Sequence, residues 1–345
     1  MLTDPTRTNI VEVANMLDTR RKANKRTTLV LGARAGGFFR SKELFSTLQT
    51  VSLRDFKPLT PLEQFAECYQ VLNSPGQFSD NDLDGILKQA LNEVAISEAD
   101  LCLAELIKDN IFDMIVSSNI DDLLENALEQ VDMKDQSHFD VIIPGHKATA
   151  YIDYAEKPFS CRIIKAFGDL SSKVYSIVKR QEQLAIPLGN RETLKTLLER
   201  TLARDILAIG LDPTWDAEIL AAFPPRTNAT TYWYVNEQEP EQNLLLTRTW
   251  QGGLVKFIVG EEGNYEYFIK ALHWHLRKEQ PGNYKLSRQI TSQLSTISSE
   301  LIKLRAQYSE LSQLSTISSE LIKLRAQYSE LSQLVHRLIS TLEKQ

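Results

Sequence analysis

The chain has 345 residues, 42% of them apolar and 24% charged, enough for one large domain or two ordinary ones with a sizeable core. A formal net charge of −6 supplies no global basic field, which argues against nucleic-acid and membrane-surface partners. Three scattered cysteines (Cys68, Cys102, Cys161) make neither a disulfide framework nor a four-thiolate zinc site.

Apolar runs such as Ile219–Phe223 are far too short for a bilayer, and the opening Met1-Leu2-Thr3-Asp4-Pro5 lacks the apolar core of a secretion signal. These features predict a cytoplasmic protein without a metal. In chain order, β-rich runs occur at Thr28–Gly32, Asp113–Ser117, Phe139–Ile143, Cys161–Ala166, Asp205–Gly210 and Thr231–Val235. Helical patterns occur at Pro61–Val71, Asp80–Val94, Glu98–Asp109, Asp121–Val131, Leu170–Arg180, Glu192–Leu202, Asp216–Phe223 and Tyr265–Arg277. This alternation predicts an α/β fold, a parallel sheet with helices on both faces, and the mostly apolar strand runs suit a sheet covered on both sides. In such sheets ligands sit at the carboxyl ends of the strands, near a topological switch point, so the residues after each strand are the candidates.

After the first strand, Gly32-Ala33-Arg34-Ala35-Gly36-Gly37 places three glycines in six residues. Such a loop lets backbone N–H groups approach a phosphate, and it serves equally as a structural turn. Ser41 is positioned to cap the helix that follows. After the second strand, Asn119 offers an amide and Asp121 a carboxylate at the mouth of the expected cleft, with helix capping as the alternative role. Later strand ends carry Lys165-Ala166-Phe167-Gly168-Asp169, then Gly210-Leu211-Asp212-Pro213-Thr214-Trp215-Asp216, then Asn236. Glycine for a tight exit, aspartate for a cap and aromatics for the core explain each of these singly.

The final part of the chain differs in kind. None of the 14 glycines and 12 prolines lies beyond Gly282. This break places a boundary near residue 285, giving a domain over 1–285 and a helical tail over 286–345. Residues Ser292–Leu314 recur unchanged as Ser312–Leu334. Within one copy, Leu294, Ile297, Leu301, Leu304, Tyr308 and Leu311 step by three and four residues, the seam of a coiled coil. The second copy runs from Leu314 to Leu331 and continues through Val335, Leu338 and Leu342. The offset of 20 is one short of three heptads, so the stripe turns by about 100° at the join. Self-association through residues 294–342 is expected, with docking back onto the globular domain as the alternative.

Taken together, these motifs resemble the sirtuin-like family over roughly residues 25–275, in particular its bacterial branch of NAD-consuming defence effectors. Asn119-Ile120-Asp121 resembles the family's N-[IY]-D element, and Gly32-Ala33 with Gly36-Gly37 resembles its phosphate-cradling loop. Phe39-Arg40-Ser41 is similar to a Phe-Arg-Ser element. Gly210, Asp216 and Asn236 resemble later cofactor-contacting positions. The resemblance implies a Rossmann-like, sirtuin-type fold that binds NAD, with Asn119 and Asp121 about the nicotinamide ribose. It places Gly32, Ala33, Gly36, Gly37, Arg40, Gly210, Asp216 and Asn236 on the cofactor.

Two departures from the family pattern matter. No C-x-x-C pair is present, so a zinc ribbon and protein deacylation are not expected. Phe167 stands where the family has its catalytic histidine, and a phenyl ring cannot accept a proton. His146, after the third strand, is the candidate substitute. Three functions follow as expectations: an NAD glycohydrolase acting in defence and regulated by self-assembly, with a defence-system protein as a further partner; a non-catalytic module sensing NAD or an ADP-ribose derivative; or a scaffold whose working part is the coiled coil.

Overall fold

The computed structural model describes residues 6–52, 55–74, 76–143, 161–175, 196, 198–199, 201–222, 231–239, 254–279, 281, 299–300, 302–303, 319–333 and 336. The chain divides into two compact units, Met1–Tyr284 and Lys285–Gln345. In the first unit the strands are β1 (Thr6–Arg7), β2 (Thr27–Leu31), β3 (Phe112–Ser117), β4 (Phe139–Ile142), β5 (Cys161–Lys165), β6 (Gly168–Asp169), β7 (Val174–Tyr175), β8 (Asp205–Ile209), β9 (Thr231–Asn236) and β10 (Leu254–Val259). Its helices are α1 (Ile10–Lys22), α2 (Gly37–Arg40), α3 (Lys42–Val51), α4 (Pro61–Leu72), α5 (Asp80–Asn92), α6 (Glu98–Lys108), α7 (Leu123–Gln130), α8 (Ala217–Ala222) and α9 (Tyr265–Arg277).

Eight strands form one sheet in the order β1-β10-β9-β8-β2-β3-β5-β4, and every neighbouring pair is parallel. The period of two along each strand sends alternate side chains to opposite faces. On β2, Val30 joins one core, while Leu29 and Leu31 join the other. The first core takes its helical partners from α3, α4, α5 and α8, through residues such as Leu44, Phe65, Leu87 and Leu220. The second takes them from α1, α6, α7 and α9, through Leu17, Leu103, Leu128 and Phe268. Because both faces are covered, strands such as Thr27–Leu31 are buried along their whole length, which is why their sequence is not alternating. The sheet is Rossmann-like: from β2 the chain builds β3, β4 and β5 on one side, then returns to build β8, β9 and β10 on the other. The strand ends beside β2 are therefore the switch point of the fold.

The elements that differ from expectation have local causes. Leu170–Arg180 is not helical over its described residues, 170–175, which form a turn and the antiparallel β6–β7 pair. The Asp169 carboxylate accepts from Ser171 Oγ at 2.7 Å and from the Ser172 N–H at 2.8 Å, so the polar side chain closes a turn in place of a helix. Gly168 has φ +89, and a Cβ there would strike the Val174 carbonyl, so glycine is required. The pattern at Asp121–Val131 becomes helical only at Leu123. Three elements carried no strong signal. α1 opens on a β-prone Ile-Val-Glu-Val, yet Asn9 caps it by accepting from the Glu12 N–H at 2.9 Å. β10 carries Lys256 in its middle. α3 follows directly on the glycine-rich loop and is capped, as expected, by Ser41, which accepts from the Leu44 N–H at 3.0 Å.

In the second unit, residues 319–333 are helical, as are the short described stretches 299–300 and 302–303. The join of the two repeats falls in 304–318, outside the described residues, and so does His146. Among the described residues no helix is long and apolar enough to cross a membrane.

Candidate functional site

The loop after β2 lies at the centre of the strand ends, and its donors can be followed one by one. The N–H of Gly32 donates to Ile209 O at 2.8 Å, that of Arg34 to Gly210 O at 3.0 Å, that of Ala35 to Gly32 O at 3.0 Å and that of Gly36 to Ala33 O at 3.2 Å. The Ala33 N–H donates to Asp216 Oδ2 at 3.0 Å, and the Gly37 N–H to Asp121 Oδ2 at 2.8 Å. Each of these donors already has an acceptor inside the protein. The glycines serve close approach instead: a Cβ at Gly36 would collide with the Asn119 amide. Of the two roles open to this loop, the structural turn is the one this conformation displays.

On the β8–β9 side of the loop, Arg34 is the organising residue. It is 6% exposed and makes a two-pronged contact with Asp212 Oδ2, from Nε at 2.9 Å and from Nη2 at 2.8 Å. Its Nη1 donates to Asn236 Oδ1 at 2.8 Å and its Nη2 to Gln238 Oε1 at 2.8 Å. Asn236 in turn donates from Nδ2 to Leu211 O at 2.6 Å. Asp212 also accepts from the N–H groups of Thr214 and Trp215, at 2.8 and 3.0 Å. Asp216 Oδ2 accepts from Ala33 and from Asp212, the latter at 2.6 Å, and so ties the loop after β2 to the loop after β8. Burial pushes the Asp216 carboxyl up to about 7. Beside it, Trp215 stacks on Phe65 with ring centroids 4.5 Å apart and donates from Nε1 to Phe65 O at 2.9 Å.

The β3–β5 side is built differently. Asn119 is half-buried and donates from Nδ2 to Gly32 O at 3.1 Å, while its N–H rests on Ser117 Oγ at 3.1 Å. Asp121 caps two chain segments, accepting from Gly37 and from the Leu123 N–H at 3.2 Å. Lys165, 1% exposed at the end of β5, places Nζ against three carboxylates: Asp122 at 3.0 Å, Glu125 at 2.8 Å and Asp169 at 2.6 Å. Burial opposes its charge, but the carboxylates of Glu125, Asp122 and Asp169 outweigh that and hold the ammonium well above its ordinary range. Burial pushes Glu125 up to about 7. Burial also raises Asp122, whereas its hydrogen bond with Asp122, together with Lys165, holds Asp169 well below the usual carboxylate range despite burial.

Between these groups lies a cavity of about 20 Å³, lined by Asn119, Asp121, Ser117, Gly36, Arg40 and Asp100 among others. That volume holds one water molecule. Arg40 donates from Nη1 to Asp100 Oδ2 at 2.8 Å, and its Nε and Nη2 are buried without a hydrogen-bond partner among the described residues.

The structure thus brings Asn119, Asp121, Gly36, Gly37 and Arg40 together on one side, and Gly210, Asp216 and Asn236 with Arg34 on the other, with Gly32 and Ala33 between. Phe167 is 7% exposed and belongs to the apolar core on the α3–α5 face. His273 is buried against Glu105 on α6, Nε2 to Oε2 2.9 Å, and so serves a helix interface. Lys165, Glu125, Asp122, Arg34 and Asp212 were not singled out from sequence. Their signals in the sequence are slight: Lys165 ends an apolar run, Asp122 and Glu125 fall in a helical pattern, and Arg34 and Asp212 lie in strand-end loops. Among the described residues no group of three His, Cys, Asp or Glu side chains is arranged for a metal ion.

No family model matches this sequence, and no curated protein does. Solved structures do. A Sir2 homolog–NAD complex aligns at 11% identity and TM-score 0.35, over 80% of this chain and 97% of that one. These neighbours are Sir2 proteins. A second, from work on the mechanism and regulation of Sir2 enzymes, aligns at 14% identity and TM-score 0.33, over 78% of this chain and 99% of that one. A third, a Sir2 variant with a deacetylated p53 peptide and 3′-O-acetyl ADP ribose, aligns at 11% identity and TM-score 0.34, over 77% and 97%. Scores this low carry no argument about this chain's site or ligand.

Proposed function

We propose that this chain binds NAD at the carboxyl ends of its central strands and hydrolyses the bond between nicotinamide and ribose. The observation that carries the reading is the cavity beside Asn119 and Asp121, sized for one water and placed at the switch point of the sheet. In the reaction the C1′–N bond breaks and its electron pair leaves with nicotinamide, neutralising the pyridinium charge. The ribosyl cation is stabilised by the Asn119 amide oxygen and by the negative charge of Asp121. The held water adds at C1′ and its proton passes to solvent, giving ADP-ribose. The step as written needs no imidazole, and Phe167, at the position of the family's histidine, is buried in the core. From the sirtuin-like motif order in the sequence, the reading extends to a defence effector whose activity follows self-assembly through the tail.

A second reading, an NAD-sensing module without turnover, is favoured by one observation: Phe167, at the position where the family has its histidine, is packed into the apolar core and supplies no base. Nicotinamide release by the purified full chain separates the two. The hydrolase reading expects release by the wild type and a loss of about 10²–10³-fold in Asn119→Ala, the usual effect of removing one charge-stabilising group. Equal turnover in the variant overturns it. Binding without release by the wild type selects the sensor.

A further inference from the structure

Two cavities flank the β3–β5 cluster, and one residue belongs to both. The inner cavity, about 20 Å³, is the one beside Asn119 and Asp121. The outer one, about 280 Å³, lies between α7, β4 and the β6–β7 turn. Among the described residues, Glu125 alone lines the two. It stands in the first turn of α7, half-buried, with Oε1 on Lys165 Nζ at 2.8 Å. The rim of the outer cavity is exposed at Glu129, Asp135, Ser171 and Ser172, so this cavity opens to solvent.

Three carboxyl groups line the inner cavity, and two of them are committed. Asp121 accepts the Gly37 N–H through Oδ2 and the Leu123 N–H through Oδ1. Asp100 accepts the Tyr265 hydroxyl through Oδ1, and Arg40 Nη1 and the Ser97 N–H through Oδ2. A proton added to either would displace one of these donors, so both act as fixed charges. Glu125, the third, shares its partner. Lys165 Nζ also has Asp122 at 3.0 Å and Asp169 at 2.6 Å, so protonating Glu125 leaves the ammonium paired.

Resting on the hydrolase reading, we propose that Glu125 is the general base of the reaction. Its carboxylate takes a proton from the water held in the inner cavity as the water oxygen bonds to C1′. The electron pair of the broken C1′–N bond leaves with nicotinamide. The proton then passes from Glu125 to solvent through the outer cavity, which restores the carboxylate. Glu125 thereby supplies the base that Phe167 cannot.

The surrounding charges set the pH at which this works. Burial raises Glu125 to about 7, where a base is both ionised and strong enough to accept. On the inner side it faces Lys165 and Arg40, both held cationic by carboxylates against the effect of burial. Asp100, Asp121 and Tyr265 complete that side, and burial keeps the Tyr265 hydroxyl neutral. On the outer side stand Asp122, raised by burial, and Asp169, held low despite it. Glu129, Asp135 and Asp140 lie beyond them.

The test is steady-state nicotinamide release by the full chain from about pH 5 to about pH 9. Wild-type kcat/KM is expected to rise about tenfold per pH unit and to level off above about 7. Glu125→Gln keeps an oxygen for Lys165, so its thermal midpoint is expected to stay near that of the wild type. Its kcat is expected to fall about 10²-fold above that pH, with KM within about twofold and no rise with pH. Glu125→Asp, which keeps a carboxylate, is expected to keep the rise at a lower rate. A wild-type profile that is flat through about 7 overturns the assignment whether or not the variants fold. So does a rise that persists in Glu125→Gln or vanishes in Glu125→Asp. Each of these leaves the hydrolase reading standing, whereas a wild type that releases no nicotinamide at any pH overturns both.

Discussion

The two sides of the strand-end loop solve the problem of buried charge in opposite ways. On the β8–β9 side, one cation pairs with one of two buried carboxylates: Arg34 grips Asp212 from two nitrogens, amides of Asn236 and Gln238 take its remaining donors, and Asp216 is held by backbone N–H groups. On the β3–β5 side, one ammonium meets three carboxylates, and Arg40, which lines the cavity, has two buried nitrogens without a partner among the described residues. A cluster whose one cation is bonded through every nitrogen of its guanidinium is a clasp that holds loops in register. A cluster in which carboxyl groups outnumber the ammonium, beside room for a water, suits the developing cation of the proposed reaction. The proposed function puts fastening at the first and chemistry at the second.

The largest effect expected from breaking that comparison is at Lys165. Lys165→Met leaves three carboxylates without their cation, and removing one partner of a buried ion pair costs about 3–5 kcal/mol. Urea unfolding reads this directly; a loss below 1 kcal/mol would mean the cluster is hydrated rather than buried. Arg34→Met is expected to cost somewhat less, about 3 kcal/mol, because Asp212 keeps its bonds from Thr214 and Trp215. Its second signature is loosening of the loops after β8 and β9, measured as faster amide exchange there.

A smaller effect is expected from pH. Asp216 has a folded-state pKa of about 7 against an ordinary 3.8, so the native state holds its proton longer than the unfolded chain does. Its contribution is fully present below 3.8 and is lost as pH rises to about 7. Glu125, raised from 4.5 to about 7, adds a change of the same sign. Asp169, held low, acts oppositely and only in acid, as its Lys165 pairing is lost. Asp216→Asn is expected to flatten the fall in thermal midpoint between pH 4 and 7, and an unchanged slope would show that Asp216 is not the group responsible.

What was legible in the sequence follows the same division. The strands of the sheet could be read because both faces are covered, so Thr27–Leu31 and Phe112–Ser117 are runs of apolar residues. Tyr232, Trp233 and Tyr234, within the β-rich run Thr231–Val235, are buried in the core. The Leu170–Arg180 pattern misled because a turn held by one carboxylate has no periodicity to betray it. At the site, Asn119 and Asp121 were visible because their motif is local in sequence. The Arg34–Asp212 and Lys165–Glu125 pairs were not, since each joins residues separated by many positions and brought together only when parallel strands align. The glycine-rich loop was visible, but its employment was not. Spacing alone cannot tell a glycine that admits a phosphate from one that admits the Asn119 side chain.

The smallest expected structural effect belongs to the residue expected to matter most functionally. Asn119→Ala removes one hydrogen bond to Gly32 O, worth about 1 kcal/mol, from a half-buried position. The direct test of the account is the thermal midpoint of wild type and Asn119→Ala with and without NAD, since a ligand that binds only the folded state raises that midpoint. NAD is expected to raise the midpoint of both proteins, since Asn119 acts on the ribosyl cation and other groups hold the cofactor, while nicotinamide release falls about 10²–10³-fold in the variant. No shift in the wild type, or equal nicotinamide release by the two proteins, would contradict it.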